Sequence, residues 1–121
     1  MPARKPDPDG PRKVAEVGAA IDRGEEPPRD ALRSAARYLL QKLEAVAPGR
    51  SVEVRVPPVA AVQCVAGPRH TRGTPPNVIE TDPVSWFRLA TGRLDWAEGV
   101  HSGAVQASGL RADLSAYLPL A

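Results

Sequence analysis

The stretch that decides the fold is Thr81–Leu120, TDPVSWFRLATGRLDWAEGVHSGAVQASGLRADLSAYLPL. Asp82 followed by Pro83 is typical of a helix start, because aspartate caps free backbone N–H groups and proline at the first helical position loses no hydrogen bond. Three glycines divide the rest into segments: Gly92, Gly103 and Gly109. Their order predicts a helix, a short helix over 94–100, a strand over 104–108 and a closing helix, which together make a compact α+β unit.

Two helices are predicted ahead of this unit. Apolar residues recur at helical spacing in 12–22 and, more strongly, in 29–47. In the second segment Leu32, Leu39 and Leu43 belong to one apolar stripe, whereas the other face mixes basic and acidic side chains. Such a mixture is not the cationic face of a membrane-surface helix. We expect this helix to cover the sheet. The alternative is that 29–47 forms the interface of a homodimer or binds a protein partner.

Three strands are predicted between these helices and the C-terminal unit. In 51–56, SVEVRV, every second residue is valine, which is typical of a strand with one face in the core. The segment 59–65, VAAVQCV, is apolar on both faces apart from Gln63, and we expect it to be the most buried strand. The third strand, 77–81, leads into the helix at Asp82.

Length and composition predict one domain. The chain has 121 residues, which is enough for a single core. Residues 1–11 hold four prolines and alternating charges, so we expect a disordered tail there. The predicted domain spans 12–121, with N-terminal helices in 12–47 and the sheet and C-terminal helices in 50–120.

Charge argues against a nucleic-acid partner. Sixteen basic and fourteen acidic side chains leave a formal charge of +2, and the two signs are interspersed along the chain. The segment 84–102 imitates a helix-turn-helix, but Asp95 and Glu98 on its second helix would repel DNA phosphates. We therefore predict no nucleic-acid binding.

The expected compartment is the cytoplasm. One cysteine excludes an internal disulfide framework and fits a reducing environment. The opening MPARKPDPDGPRK has no apolar run behind it, so we expect neither a signal peptide nor a membrane-spanning helix.

No metal, cofactor or catalytic residue is predicted. Cys64, His70 and His101 follow no ligand spacing. Cys64 lies within an apolar strand, where burial raises the pKa of a thiol and makes it inert. Glu80 and Asp82 are close in sequence, but Asp82 is already explained as a helix cap, so we expect no acid–base pair.

The order of elements in the C-terminal half is similar to that of a known family. The residues that carry the similarity are Asp82, Trp86, Leu89, Gly92, Gly103, Gly109, Leu114 and Leu118. The chain resembles the sterol carrier protein 2 family, whose domains end in a strand, a helix pair, a last strand and a closing helix. QCVAGPRHTRGTPPNVIETDP and GRLDWAEGV resemble its small actinobacterial branch, the bacterial sterol carrier protein orthologues, and the resemblance covers about 50–120.

This resemblance implies an α+β fold with a mixed, mostly antiparallel sheet of four to five strands covered by helices, to which the two N-terminal helices are additions. It also implies an apolar cavity between sheet and helices, which in other members holds an acyl chain or a sterol. Since four strands are clear here and Phe87 is the one phenylalanine, we expect that cavity to be small or filled.

Two groups of residues are the predicted ligand site. The apolar walls would be Trp86, Leu89, Val100, Leu114 and Leu118, although filling the core is the default role of a tryptophan in a helix pair. The polar end lies in or beside the loop 66–76, which is rich in arginine and glycine and could bind an anion. Its candidate residues are Arg69, His70, Arg72 and Asn77. The alternative for the loop is a purely structural connection shaped by prolines.

The predicted function is a non-enzymatic, sterol-carrier-like binding domain for an apolar or acyl-bearing ligand, such as a lipid, a fatty acid or a sterol. One alternative is a structural or protein-interaction domain whose cavity is filled. Another is an auxiliary domain of a thiol-dependent isomerase-type system, since mycothiol-dependent isomerases also contain a sterol-carrier-like domain.

Overall fold

The computed structural model describes residues 7–67 and 77–120 and has an α+β architecture, as predicted. The helices described are α1 (Gly10–Asp22), α2 (Arg29–Val46), α3 (Pro83–Ala90) and α4 (Trp96–Ser102). The strands described are β1 (Val52–Val56), β2 (Ala60–Cys64), β3 (Val78–Thr81) and β4 (Val105–Ser108). Helix α1 begins two residues before its predicted start, and 1–6 lie outside the described residues. Within those residues, none of the helices is long and apolar enough to cross a membrane.

The strands form one open mixed sheet in the order β2-β1-β3-β4. Strand β1 pairs antiparallel with β2, with Val54 opposite Val62, and parallel with β3, with Val54 opposite Ile79. Strands β3 and β4 pair antiparallel, with Ile79 opposite Ala107. The predicted mixed, mostly antiparallel sheet is therefore confirmed with four strands.

Strand β2 does not hold the position predicted for it. It lies at an edge of the sheet, and its residues Ala61 and Gln63 are exposed. The most buried strand is β1, between two neighbours, with Val52, Val54 and Val56 fully covered. The prediction was wrong because strand order depends on pairing between distant segments, which a local run of apolar residues does not specify.

Helices α2 and α3 pack together over one face of the sheet. The indole of Trp86 in α3 donates a hydrogen bond from Nε1 to the carbonyl oxygen of Ala36 in α2, at 3.1 Å. Large side chains with under 2 % exposure fill the interior, among them Trp86, Phe87, Leu39, Leu40, Leu43, Ile79, Leu89 and Leu114. The opposite face of β1 carries an ion pair between Arg55 and Glu53, with 2.7 Å between Nε and Oε1.

Helix α1 is fastened to the connection between α3 and α4. Arg93 donates from Nε and Nη2 to the two carboxylate oxygens of Asp22, each at 2.9 Å. Its guanidinium also lies 5.7 Å from the centre of the Phe87 ring. The two elements approach closely at Gly18, since a Cβ there would lie 2.6 Å from Arg93 Nη2 and the guanidinium would have to shift. The N-terminal helix thus docks directly on the C-terminal half.

The closing helix predicted around Leu114 and Leu118 is absent, since 109–120 forms turns and irregular structure. The Asp113 carboxylate accepts a hydrogen bond from the Ser115 backbone N–H at 2.8 Å, which is a local alternative to helix. Pro119 then removes a backbone donor and restricts the residue before it. This C-terminal segment is held instead by the Leu120 N–H, which donates to the Ala90 carbonyl at 2.7 Å.

Candidate functional site

The predicted polar end of the site divides into two parts. Arg69, His70 and Arg72 lie outside the described residues. Asn77 is described and is only 6 % exposed; its Nδ2 donates to the Ser51 carbonyl at 2.7 Å. Its Oδ1 accepts from the Arg111 backbone N–H at 2.9 Å. Through its Nδ2 and Oδ1 atoms, the Asn77 side chain therefore links the start of β3 to Ser51 and to Arg111.

The predicted apolar walls are also in different environments. Trp86, Leu89 and Leu114 are at most 1 % exposed and belong to the packed core. Val100 on α4 is 41 % exposed, whereas Leu118 is partly buried against the core. Leu89 and Leu118 both line a surface cleft beside the C-terminal segment.

We call this space the C-terminal cleft. It has a volume of about 260 Å³ and lies between the end of α3, the start of α4 and the C-terminal segment. Its lining residues are Leu89, Gly92, Leu94, Asp95, Trp96, Ser115, Leu118 and Pro119. Asp95 brings the one charged side chain in this lining, and its side chain makes no capping hydrogen bond to α4. An anionic ligand would meet a carboxylate of like charge here.

A second cleft has the opposite electrostatic character, and we call it the arginine cleft. It has a volume of about 340 Å³ and lies between the first turns of α2, the turn joining β1 to β2, and the start of α3. Its lining residues are Arg29, Leu32, Arg33, Pro58, Val59 and Pro83. The walls are thus aliphatic or proline, and both charged groups in the lining are cations.

The sequence places the two arginines of this cleft on one side of α2. Arg29 and Arg33 are four residues apart, so their side chains emerge one helical turn from each other, and Leu32 lies beside them. Within the described part of the chain, neither arginine takes part in an ion pair. The helix N-terminus adds partial positive charge, because Pro28 offers no side-chain cap for its free N–H groups.

The arginine cleft is not predicted by the sequence. Its walls come from positions near 30, 58 and 83, and only the chain topology brings them together. The one local signal in the sequence is the pair of prolines before Val59, which must end β1 and turn the chain. In the structure Val59 is only 9 % exposed, so this turn folds back onto the protein.

A third cleft, of about 230 Å³, contains Glu80 and Asp82 together with Thr81. The Asp82 carboxylate accepts from the Ser85 backbone N–H at 3.1 Å and thereby caps α3, as predicted. The Thr81 hydroxyl donates to the Ala104 carbonyl at 2.8 Å. Two of these three side chains are therefore engaged in holding the fold.

Cys64 is fully buried, and burial raises the pKa of its thiol to about 11, with the nearby charge of Glu44 adding to the shift. The prediction of a desolvated, raised-pKa thiol is confirmed. In residues 7–67 and 77–120, no group of three or more histidine, cysteine, aspartate or glutamate side chains is arranged to hold a metal ion.

The buried thiol should make stability fall at alkaline pH. Its folded pKa of about 11 lies above the unfolded value of about 9, so its contribution is fully present below about pH 9 and is lost as pH rises towards about 11. The urea midpoint of the wild type should be lower at about pH 10.5 than at about pH 8. In Cys64→Ala, which lacks the titrating group, the difference between the two midpoints should be smaller. An identical fall in both proteins would show that Cys64 contributes nothing.

Comparison with known families gives one match. A family model described as bacterial SCP ortholog matches residues 28–120. No curated protein matches the chain. The match confirms the resemblance to the bacterial sterol carrier protein orthologues and extends it towards the N-terminus through α2. Every lining residue of the arginine cleft and of the C-terminal cleft lies inside the matched region.

Proposed function

Because the chain belongs to the bacterial SCP ortholog family, we propose that it is a non-enzymatic carrier domain that binds an apolar or acyl-bearing ligand, such as a fatty acid or another lipid, in the arginine cleft. The observation that carries the proposal is the aliphatic wall formed there by Leu32, Val59 and Pro83. At about 340 Å³ the cleft lies within the range of volumes of ligand pockets.

Tight packing between the helices and the sheet favours a ligand site at the surface over one in the interior. Trp86, Phe87 and Leu39 are fully buried there, and protein interiors are filled to the density of organic crystals. An acyl chain inserted among these side chains would have to displace them. A surface cleft accepts the same chain without opening the core.

The arginine cleft suits an acyl ligand better than the C-terminal cleft does. It is larger, at about 340 Å³ against about 260 Å³, and its charges are positive. Burying a chain of ten carbons contributes about 8 kcal/mol at about 0.8 kcal/mol per carbon. Lost translational and rotational freedom opposes this by at least about 4 kcal/mol. The apolar contacts alone therefore predict a dissociation constant of about 1 mM at best.

Decanol is the probe that tests the apolar cleft without a charged group. We expect its addition to shift backbone amide NMR signals around Leu32 and Val59 in the ¹⁵N-labelled protein. Leu32→Gln should abolish these shifts, because it places an amide in the apolar wall. The matched control is Leu94→Gln, which makes the same change in the C-terminal cleft and should leave them intact.

Two results would contradict the proposal. Shifts centred on Leu94 and Trp96, lost in Leu94→Gln, would place the ligand in the C-terminal cleft, which the predicted residues Leu89 and Leu118 also line. Absence of any decanol-dependent shift localised to either cleft would reject the carrier function itself. Circular dichroism of both variants establishes that they are folded.

A protein-interaction domain is the second candidate, favoured by one surface feature. Leu110 is fully exposed directly after β4, which is an edge strand in the described sheet, and edge strands offer free backbone groups to a partner. Contact with a partner through 29–47 stays a prediction. The apolar stripe of α2 is not free for such a contact, because Leu39 and Leu43 are buried in the core. Light scattering of the wild type and of Leu110→Lys would reveal self-association through the exposed leucine.

A further inference from the structure

We infer that the arginine cleft selects a single-chain carboxylate, with the alkyl chain against Leu32 and Val59 and the carboxylate held by Arg29 and Arg33. The inference rests on the proposed function, since it assumes that the acyl ligand lies in this cleft. It adds the chemical class of the ligand and the two residues that recognise it.

The first argument is the placement of charge beside apolar surface. Arg29 and Arg33 share the lining with four residues that carry no charge or polar side chain: Leu32, Pro58, Val59 and Pro83. A ligand that complements this lining would be apolar along its length and anionic at one end. Asp30, the acidic residue in the first turn of α2, is not part of the lining.

The second argument is that these guanidinium groups are available. Other described arginines are occupied by carboxylates of the protein itself, as Arg12 is by Asp9 and Arg93 is by Asp22. Within the described part of the chain, Arg29 and Arg33 have no such partner. Each presents a planar fork of N–H donors, a geometry that matches the two oxygens of a carboxylate.

A phosphate monoester fits the same place less well. It presents three oxygens and between one and two negative charges at neutral pH, by analogy with a phosphorylated side chain. The remaining lining offers no hydroxyl or amide side chain for a third oxygen, and neither Pro58 nor Pro83 has a backbone N–H. Apart from the free N–H groups at the start of α2, the donors are the two guanidinium forks, whose paired N–H groups suit the two oxygens of a carboxylate.

The test compares decanoate, decyl phosphate and decanol by the same NMR titration, the first two below their micelle concentrations and decanol below its solubility limit. In the wild type we expect decanoate to bind at least about tenfold more tightly than decanol, and more tightly than decyl phosphate. In the double variant Arg29→Gln, Arg33→Gln, decanoate should bind as weakly as decanol. Arg37→Gln, which removes an exposed α2 arginine outside the lining, is the matched control and should behave as the wild type.

The outcomes separate the inference from the function beneath it. Equal binding of decanoate and decanol would overturn carboxylate selection while leaving the carrier function in place, and failure of all three probes would reject both. Tighter binding of decyl phosphate would assign the cleft to phosphate and overturn the inference. An equal loss in Arg37→Gln would show that net charge, and not this pair, attracts the anion.

Discussion

Trp86→Ala is expected to lower the free energy of unfolding by about 3–5 kcal/mol, the cost of removing a large aromatic side chain from a packed core. The side chain is fully buried, and its Nε1–H bonds to the Ala36 carbonyl and ties α3 to α2. Since domains are stable by only about 5–15 kcal/mol, this one change should remove much of the total. Urea unfolding followed by circular dichroism measures it.

Two controls separate the contributions of Trp86. Trp86→Phe keeps most of the apolar volume but loses the hydrogen bond, and should cost less than Trp86→Ala. Trp96→Ala removes a partly exposed indole and should also cost less. If Trp86→Ala lost under about 1 kcal/mol, the indole would border open space, and a ligand cavity beneath the helices would have to be reconsidered.

The outcome for Trp86 bears on how ligand binding arises in this chain. A carrier needs space that its own side chains do not occupy, and here the layer between α2, α3 and the sheet is occupied by Trp86 and Phe87. The expectation of a small or filled internal cavity agrees with this packing. Aliphatic walls with cationic groups are instead exposed where α2 begins.

Local chemistry made the start of α3 and the end of α4 predictable. Asp82 and Pro83 specify a helix start by satisfying or removing N–H groups within one turn, and the structure shows this cap. Gly103 ends α4 with a φ of 83°, a conformation that glycine adopts without a Cβ penalty. Such signals depend on a few neighbouring residues, so the sequence alone contains them.

Features that depend on distant segments were not predictable in the same way. The edge position of β2 follows from the parallel pairing of β1 with β3, across an intervening strand and loop. For the missing closing helix, the turn at Asp113 is local, but the contact of the Leu120 backbone with α3 that holds the segment is long-range. The arginine cleft likewise requires α2, the β1–β2 turn and α3 to be assembled before its lining exists.

Gly49→Ala is expected to lower the free energy of unfolding by about 2–6 kcal/mol, through backbone strain and overpacking of about 1–3 kcal/mol each. Gly49 has a φ of 150°, and a Cβ there would overlap the backbone carbonyl of Val65. That carbonyl cannot withdraw freely, because it accepts hydrogen bonds from the Ser51 N–H at 3.1 Å and from the Ser51 hydroxyl at 2.7 Å.

Gly24 provides the matched control for this prediction. Its φ is 75°, but a Cβ there would meet no atom within 4 Å, so Gly24→Ala should cost only the strain of about 1–2 kcal/mol. The excess loss in Gly49→Ala, read from urea midpoints, measures how tightly the turn after α2 is pressed against the end of β2. Equal losses in the two variants would show that the turn can move away, and that α2 is not fixed to the sheet at this end.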